Sequence, residues 1–455
     1  MATLQYSVIL LFMIMMIFLH SSAKIHVAME GHFQTLHVGS LLPASDCHRS
    51  STVKSGSNKR QSTVLELFHK HGPCSSSTSA RPPLADILSS DQSRVESIRV
   101  RLEHDSNTNQ LKNRTPYYKN NKSFKDAKTN LPVPPIFDSG DYMVTIGLGT
   151  PQRNLSLILD TGSGLTWTQC EPCIRSCYKQ NETIFDPSAS SSIEYGDSSF
   201  SIGDYSKDKL TLTQDVLPDF HFGCGQNNQG TFELQAAAGL IGLSRDDYSI
   251  VSQTAKKYGK YFSYCLPSVS SSTGHLTFGR RNADSHKNVR FTPFVGLRPD
   301  SSFYFIEIEY ISVGGQRLQI DPSVFTTEGT IIDSGTVITR LPNEAYVRMR
   351  DEFKSHMKNF SSAGAHSILD TCYNYSKDHE MKIPTISFTF RDNVTVDLDA
   401  SGTLINVDST TACLAFAGNR GGSGMSIFGN TQQKTLEVVY DVAGGKLGFG
   451  RRGCM

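Results

Sequence analysis

At 455 residues, 19% of them charged and 38% hydrophobic, the chain has the composition of a soluble globular protein with room for two or three domains, which excludes fibrous and disordered classes. Its net charge of +1 hides a division, since residues 24–135 hold 16 Lys/Arg against 9 Asp/Glu while 136–455 hold 28 against 34. A basic segment joined to an acidic body docks on it at neutral pH and is freed when acid discharges the carboxylates. The plainer alternative is a flexible basic arm with no regulatory task. No nucleic-acid partner is expected.

The chain begins with an apolar run from Val8 to Leu19, too short to cross a hydrocarbon layer of about 30 Å as a helix. It ends in Ser21-Ser22-Ala23, which predicts a secretory signal peptide cut after Ala23, although no Lys or Arg precedes the run. Residues 24–135 are rich in Ser, Asn, Lys and Thr. One helix is expected there, over Leu84 to Leu102, with Asp91 or a nearby Ser capping its better part. Asn107 to Asn130 reads as a linker, closed by Leu131-Pro132-Val133-Pro134-Pro135.

From Tyr142 the pattern changes to short apolar or alternating runs broken by Gly. Strands are expected at Tyr142–Ile146, Leu155–Leu159, Phe303–Val313 and Leu436–Tyr440, and helices at Val251–Tyr258 and Asn343–Lys358. Ten cysteines suit an oxidising compartment. Cys170, Cys173 and Cys177 are closely spaced, but no His lies near them and no second pair follows at zinc-finger spacing, so disulfides are expected and no metal. Seven Asn-x-Ser/Thr sequons, at Asn113, Asn121, Asn154, Asn181, Asn359, Asn374 and Asn393, fit passage through the secretory pathway.

An internal repeat carries the chemistry. Leu157-Ile158-Leu159-Asp160-Thr161-Gly162-Ser163 recurs as Thr330-Ile331-Ile332-Asp333-Ser334-Gly335-Thr336, and each copy has its own apolar-apolar-Gly triplet downstream, Leu240-Ile241-Gly242 and Ile427-Phe428-Gly429. The body is therefore expected to be two related lobes. A buried strand ending in Asp-Thr/Ser-Gly-Ser/Thr sets a carboxylate on a tight turn, where Gly admits close backbone approach and the hydroxyls can bond the carboxylate. A lone Asp-x-Gly is usually only a turn. Two matched copies meeting about a pseudo-two-fold axis would set Asp160 against Asp333, and carboxylates that close share one proton, leaving one base and one acid for a water-driven attack on a peptide carbonyl. That chemistry calls for neither a metal nor a cofactor.

At these residues the sequence resembles the A1 aspartic proteases, in the plant nepenthesin-like branch. Trp167-Thr-Gln-Cys170-Glu-Pro-Cys173, Tyr195-Gly196-Asp197-Ser198-Ser199, Phe222-Gly-Cys224-Gly and Phe262-Ser-Tyr-Cys265-Leu-Pro carry the resemblance across 136–455, and His69-Lys-His-Gly-Pro-Cys74-Ser carries it before that. It implies a mainly β, bilobal pepsin-like fold, with lobes at 136–292 and 293–455 behind a propeptide at 24–135. It also implies a cleft for protein or peptide substrates, a propeptide acting as intramolecular inhibitor, and a secreted monomer bound for the apoplast or a vacuole. Residue by residue, Asp160 and Asp333 match the catalytic pair. Thr161 and Ser334 match hydroxyls that brace the two loops, which Gly162, Ser163, Gly335 and Thr336 complete. Tyr195 and Gly196 match the flap, and Trp167 matches the partner of the flap tyrosine. The implied disulfides are Cys170–Cys173, Cys177–Cys224, Cys265–Cys454 and Cys372–Cys413; apart from the resemblance, Cys47 and Cys74 are expected to pair within the propeptide. Only seven residues separate Phe185-Asp186-Pro187 from Tyr195, where relatives carry some two dozen more with four cysteines, so the strand feeding the flap is expected to be almost absent. The competing expectation is a catalytically impaired binding protein, similar to the plant xylanase inhibitors.

Overall fold

The computed structural model describes residues 32–37, 45–49, 62–75, 81–112, 142–174, 176–189, 191–193, 201–228, 236–281, 288–298, 301–375, 380–419, 424–451, 453 and 454. The expected signal peptide, the Pro-rich boundary, Tyr195 and Gly196 lie outside these residues. Before the body come β1 (Phe33–His37), β2 (Thr63–His69) and α1 (Leu84–Lys112). The first lobe is then built from β3 (Tyr142–Leu148), β4 (Arg153–Asp160), β5 (Trp167–Gln169), β6 (Ser191–Ile193), β7 (Ser201–Leu212), β8 (Asp215–Asn228) and β9 (Gly239–Gly242). The fold is mainly β, as expected.

The apolar runs become strands covered on both faces. β3 is buried throughout except at Thr145, and β4 is buried from Leu155 to Asp160, as continuous rather than alternating hydrophobicity requires. Among the described residues the largest sheet has 13 strands. It runs from Arg290–Pro293 through Lys446–Gly450, Glu437–Asp441, Tyr261–Cys265 and Thr273–Phe278 to β2, and on through β3, β4, β9, β5, β8 and β7 to β6. A separate five-stranded sheet holds the second copy of the repeat.

The repeat is structural. β4 pairs in parallel with β9, Asp160 opposite Gly242, and β9 pairs antiparallel with β5. In the second lobe Thr330–Ile332 pairs in parallel with Ser426–Phe428, which pairs antiparallel with Thr339–Leu341. The Gly triplets are thus the strands lying beside the two aspartate strands. Their glycines are needed there because a Cβ on Gly242 would stand 2.6 Å from the Gly164 carbonyl, and one on Gly429 would stand 2.9 Å from Ile338 backbone.

Several expectations change in detail. The N-terminal helix runs to Lys112, so Asn107 to Lys112 is helical and not linker. Asp91 lies inside that helix and does not cap it. Val251–Tyr258 divides into Ile250–Gln253 and Ala255–Tyr258 at Thr254, and Phe303–Val313 divides into Phe305–Ile306 and Ile308–Val313. Between Pro187 and the undescribed residues 194–200 the chain makes one short 3-10 turn and the three residues of β6, paired antiparallel with β7, so the feeding strand is short but present.

Three disulfides are those expected: Cys47–Cys74, Cys265–Cys454 and Cys372–Cys413. The other two are re-paired as Cys170–Cys224 and Cys173–Cys177. Strand register is the reason. β5 lies parallel to β8 with Thr168 opposite Cys224, and the Cys170 amide bonds the Gly225 carbonyl at 2.8 Å. Cys170 therefore stands beside Cys224, and Cys173 is left to the nearer Cys177.

Candidate active site

Asp160 ends its strand and Asp333 directly follows its own, and neither is exposed to solvent. Asp160 accepts from the Gly162 amide at 2.8 Å and from the Ser163 hydroxyl. Asp333 accepts from the Gly335 amide at 3.4 Å and from the Thr336 hydroxyl at 2.6 Å. Each turn thus bonds its own carboxylate through the groups the repeat supplies.

A reciprocal bond pair locks the turns together. The Thr161 amide donates to the Ser334 hydroxyl at 3.0 Å, the Ser334 amide to the Thr161 hydroxyl at 2.9 Å, and Ser334 Oγ to the Leu159 carbonyl at 3.1 Å. Neither carboxylate takes part in the brace. Thr161→Val keeps the shape but removes the acceptor of a buried amide, and is expected to cost about 1–3 kcal/mol of stability, read as a lower denaturant midpoint. Below the second turn, Gln433 Nε2 donates to the Asp333 carbonyl at 3.2 Å while its oxygen takes the Tyr264 hydroxyl, and Asn430 Nδ2 holds the Ser334 carbonyl at 3.0 Å. Burial raises the pKa of Tyr264, so it stays a neutral donor.

A third charged group lies between the aspartates, and the sequence reading did not single it out. Arg94, on α1, sends Nη2 to Asp160 Oδ1 at 2.6 Å and Nη1 to Asp160 Oδ2 at 3.2 Å, while Nε reaches Asp333 Oδ2 at 2.9 Å and Nη2 reaches Asp333 Oδ1 at 3.0 Å. Its side chain is 1% exposed. Gly162 and Gly335 make room for it, since a Cβ would stand 2.8 and 2.3 Å from Arg94 Nη2. Burial alone would raise the Asp333 carboxyl. The charge and hydrogen bonds of Arg94, with those of Thr336 and Gly335, outweigh it and hold that carboxyl below its ordinary range.

α1 arrives there on an apolar stripe. Ile87 and Leu88 pack with Val337, Ile338, Ala415 and Ala417, and Val95, Ile98 and Leu102 pack with Phe303, Phe305, Ile331 and Ile427. Asp91 and Arg94 stand on the same stripe at helical spacing. Two charges at core positions of an amphipathic helix are the signal in the sequence that would have found them.

Trp167 is half-buried against the cluster of Phe68, Met143, Ile158 and Ala237; its expected partner Tyr195 is outside the described residues. Among the described residues no group of three or more His, Cys, Asp or Glu could hold a metal ion, and no helix is long and apolar enough to cross a membrane.

Two family models match the chain, xylanase inhibitor N-terminal at 142–194 and 190–280 and xylanase inhibitor C-terminal at 303–451. An aspartyl protease family protein of Arabidopsis thaliana is 44% identical, across 93% of this chain and 94% of its own. This chain belongs to the pepsin-like aspartic protease family, in its plant branch. Aspartic proteinase nepenthesin-1 of Nepenthes gracilis is another relative of this aspartic protease family member, 34% identical across 69% of the chain and 78% of its own. The family's fold is also seen in the crystal structure of conglutin gamma from lupine seeds, at TM-score 0.54 and 16% identity over 69% of this chain and 92% of that one.

Proposed function

We propose that the chain is the precursor of an acid-active aspartic endopeptidase, held latent by its own N-terminal segment. The observation that carries this reading is the Arg94 guanidinium seated between two carboxylates that come from equivalent turns of the two lobes. With α1 withdrawn, the carboxylates would face each other with no cation between them, and like charges that close share a proton. One then draws a proton from a water between them as it attacks the peptide carbonyl, and the other protonates the developing oxyanion and the departing amine. Thr161 and Ser334 would keep the pair coplanar, and the cleft of the family would hold an extended peptide with bulky apolar side chains beside the cut bond.

Secretion and glycosylation belong to the same proposal. The described sequon residues Asn154, Asn181, Asn359, Asn374 and Asn393 are all exposed, which leaves each open to modification. The second reading, a binding protein that has lost activity, is favoured by the xylanase-inhibitor family models; the complete hydroxyl and amide sets around both carboxylates favour the enzyme.

The test is to acidify the purified full-length protein to about pH 3–4, near the ordinary carboxylate range, with a denatured protein substrate. Shortening of the chain from its N-terminal side and pepstatin-sensitive cleavage are expected. An intact substrate after acidification would leave the binding-protein reading.

A further inference from the structure

One helical turn before Arg94, the carboxylate of Asp91 fills a pocket of its own. Its Oδ1 accepts from the Val337 amide at 2.6 Å, and its Oδ2 accepts from Arg340 Nη2 at 2.8 Å and from the Ile338 amide at 3.3 Å. Arg340 is fixed from behind, Nη1 donating to the Ile338 carbonyl at 2.9 Å. Asp91 is wholly buried, and Arg340 is 1% exposed.

All three donors belong to the second lobe, four to seven residues beyond Asp333 in the chain, and only the carboxylate belongs to α1. Two successive amides and a fork-shaped guanidinium converging on one point match the two oxygens of a carboxylate. Arg340 keeps its charge at any pH a protein survives, and a cation so nearly buried calls for an anion. Withdrawal of α1 takes Asp91 away and leaves the donors where they are.

Arg340 has a positional counterpart in the first lobe. Arg340 and Trp167 both follow their aspartate by seven residues, and each lies on a strand antiparallel to a Gly-triplet strand, Trp167 opposite Leu240 and Arg340 opposite Ile427. At equivalent places the first lobe presents an indole and the second a guanidinium. Space beside Arg340 is bordered by Gly418, Asn419 and Met425 on the lobe and by Gln92, Val95, Glu96 and Arg99 on α1, so Arg340 borders the seam between the lobe and the helix.

We propose that in the activated enzyme this pocket is a substrate subsite for an acidic side chain, and that Asp91 occupies it in the latent chain as a substrate carboxylate would. The proposal rests on the reading of the chain as a protease. Three helical residues advance about 4.5 Å along the axis, and an extended peptide covers that in one to two residues. The acidic residue therefore falls within about two positions of the bond that is cut.

The test uses the acid-activated full-length chain and matched quenched fluorescent peptides, each carrying Glu or Gln at one of the three positions on either side of a common cleavage site, at about pH 5 where Glu is ionised. At one position the Glu peptide is expected to be cleaved with about tenfold or greater advantage in kcat/KM, as suits a hydrogen-bonded charge pair, and Arg340→Gln is expected to bring that ratio to about one. Cleavage of every peptide with no Glu over Gln preference at any position overturns the subsite while leaving the protease. A preference that survives Arg340→Gln also overturns it. Absence of all cleavage overturns both readings together. The Glu to Gln exchange is made in the peptide, so it decides the matter even if the Arg340 variant does not fold.

Discussion

Arg94→Gln in the full-length chain is expected to give an enzyme that cleaves peptide substrate at about pH 5–6, in the normal carboxylate-ionised range, where the unaltered chain is silent. Removing one member of a buried ion pair costs about 3–5 kcal/mol, and here one guanidinium serves two carboxylates, so the equilibrium constant for docking the helix should fall by roughly two to four orders of magnitude. Arg94→Lys should fall between, because an ammonium keeps the charge but lacks the planar fork that reaches both acids. The pH profile separates this effect from general damage. The Asp333 carboxyl is held low when α1 is docked, so the contribution of this contact is complete above the ordinary carboxylate range and is lost as pH falls through the depressed value. Release in the unaltered chain should therefore rise with acid, and in Arg94→Gln that dependence should flatten. Latency unchanged in the variant would show that Arg94 does not hold the helix.

Asp333→Asn is expected to abolish cleavage by at least about a thousandfold, the scale of a lost acid–base group, and to loosen the same helix. The fold should persist, because the Thr161–Ser334 brace uses neither carboxylate, and the Thr336 hydroxyl can still donate to an amide oxygen. Arg94 would then face one charge in place of two. Limited proteolysis should cut the variant near α1 at a pH where the unaltered chain resists, while its far-ultraviolet circular dichroism stays the same. Asp160→Asn should behave alike, since Arg94 also donates two hydrogen bonds to that side.

The pairing of Asp160 with Asp333 was legible in the sequence because it is written twice, each time as an apolar strand, a turn and a distant Gly triplet. The triplets could be seen as matched but not as neighbours; only the parallel register of Asp160 with Gly242 shows that each lies against its aspartate strand. Arg94, and Asp91 as anything more than a helix cap, stay hidden for one reason. A charged residue in a polar stretch reads as solvated, and its burial becomes visible only when Ile87, Leu88, Val95, Ile98 and Leu102 are seen to form the stripe on which both charges of α1 stand. The re-paired disulfides have a different cause. Cys170, Cys173 and Cys177 are close enough in the chain for several pairings, and the choice is made by the register of β5 on β8, which no local pattern encodes.

β2 lies between Thr273–Phe278 and β3 in the 13-stranded sheet, hydrogen-bonded to both. Without it, that sheet falls into two smaller ones, and two inner strands become edges with open amides and carbonyls. The strand comes from the same N-terminal stretch as the helix that covers the aspartates. One stretch of chain therefore serves both as cover for the two aspartates and as the seam of the sheet, so the activation proposed above would change the cooperativity between the lobes as well as access to the aspartates.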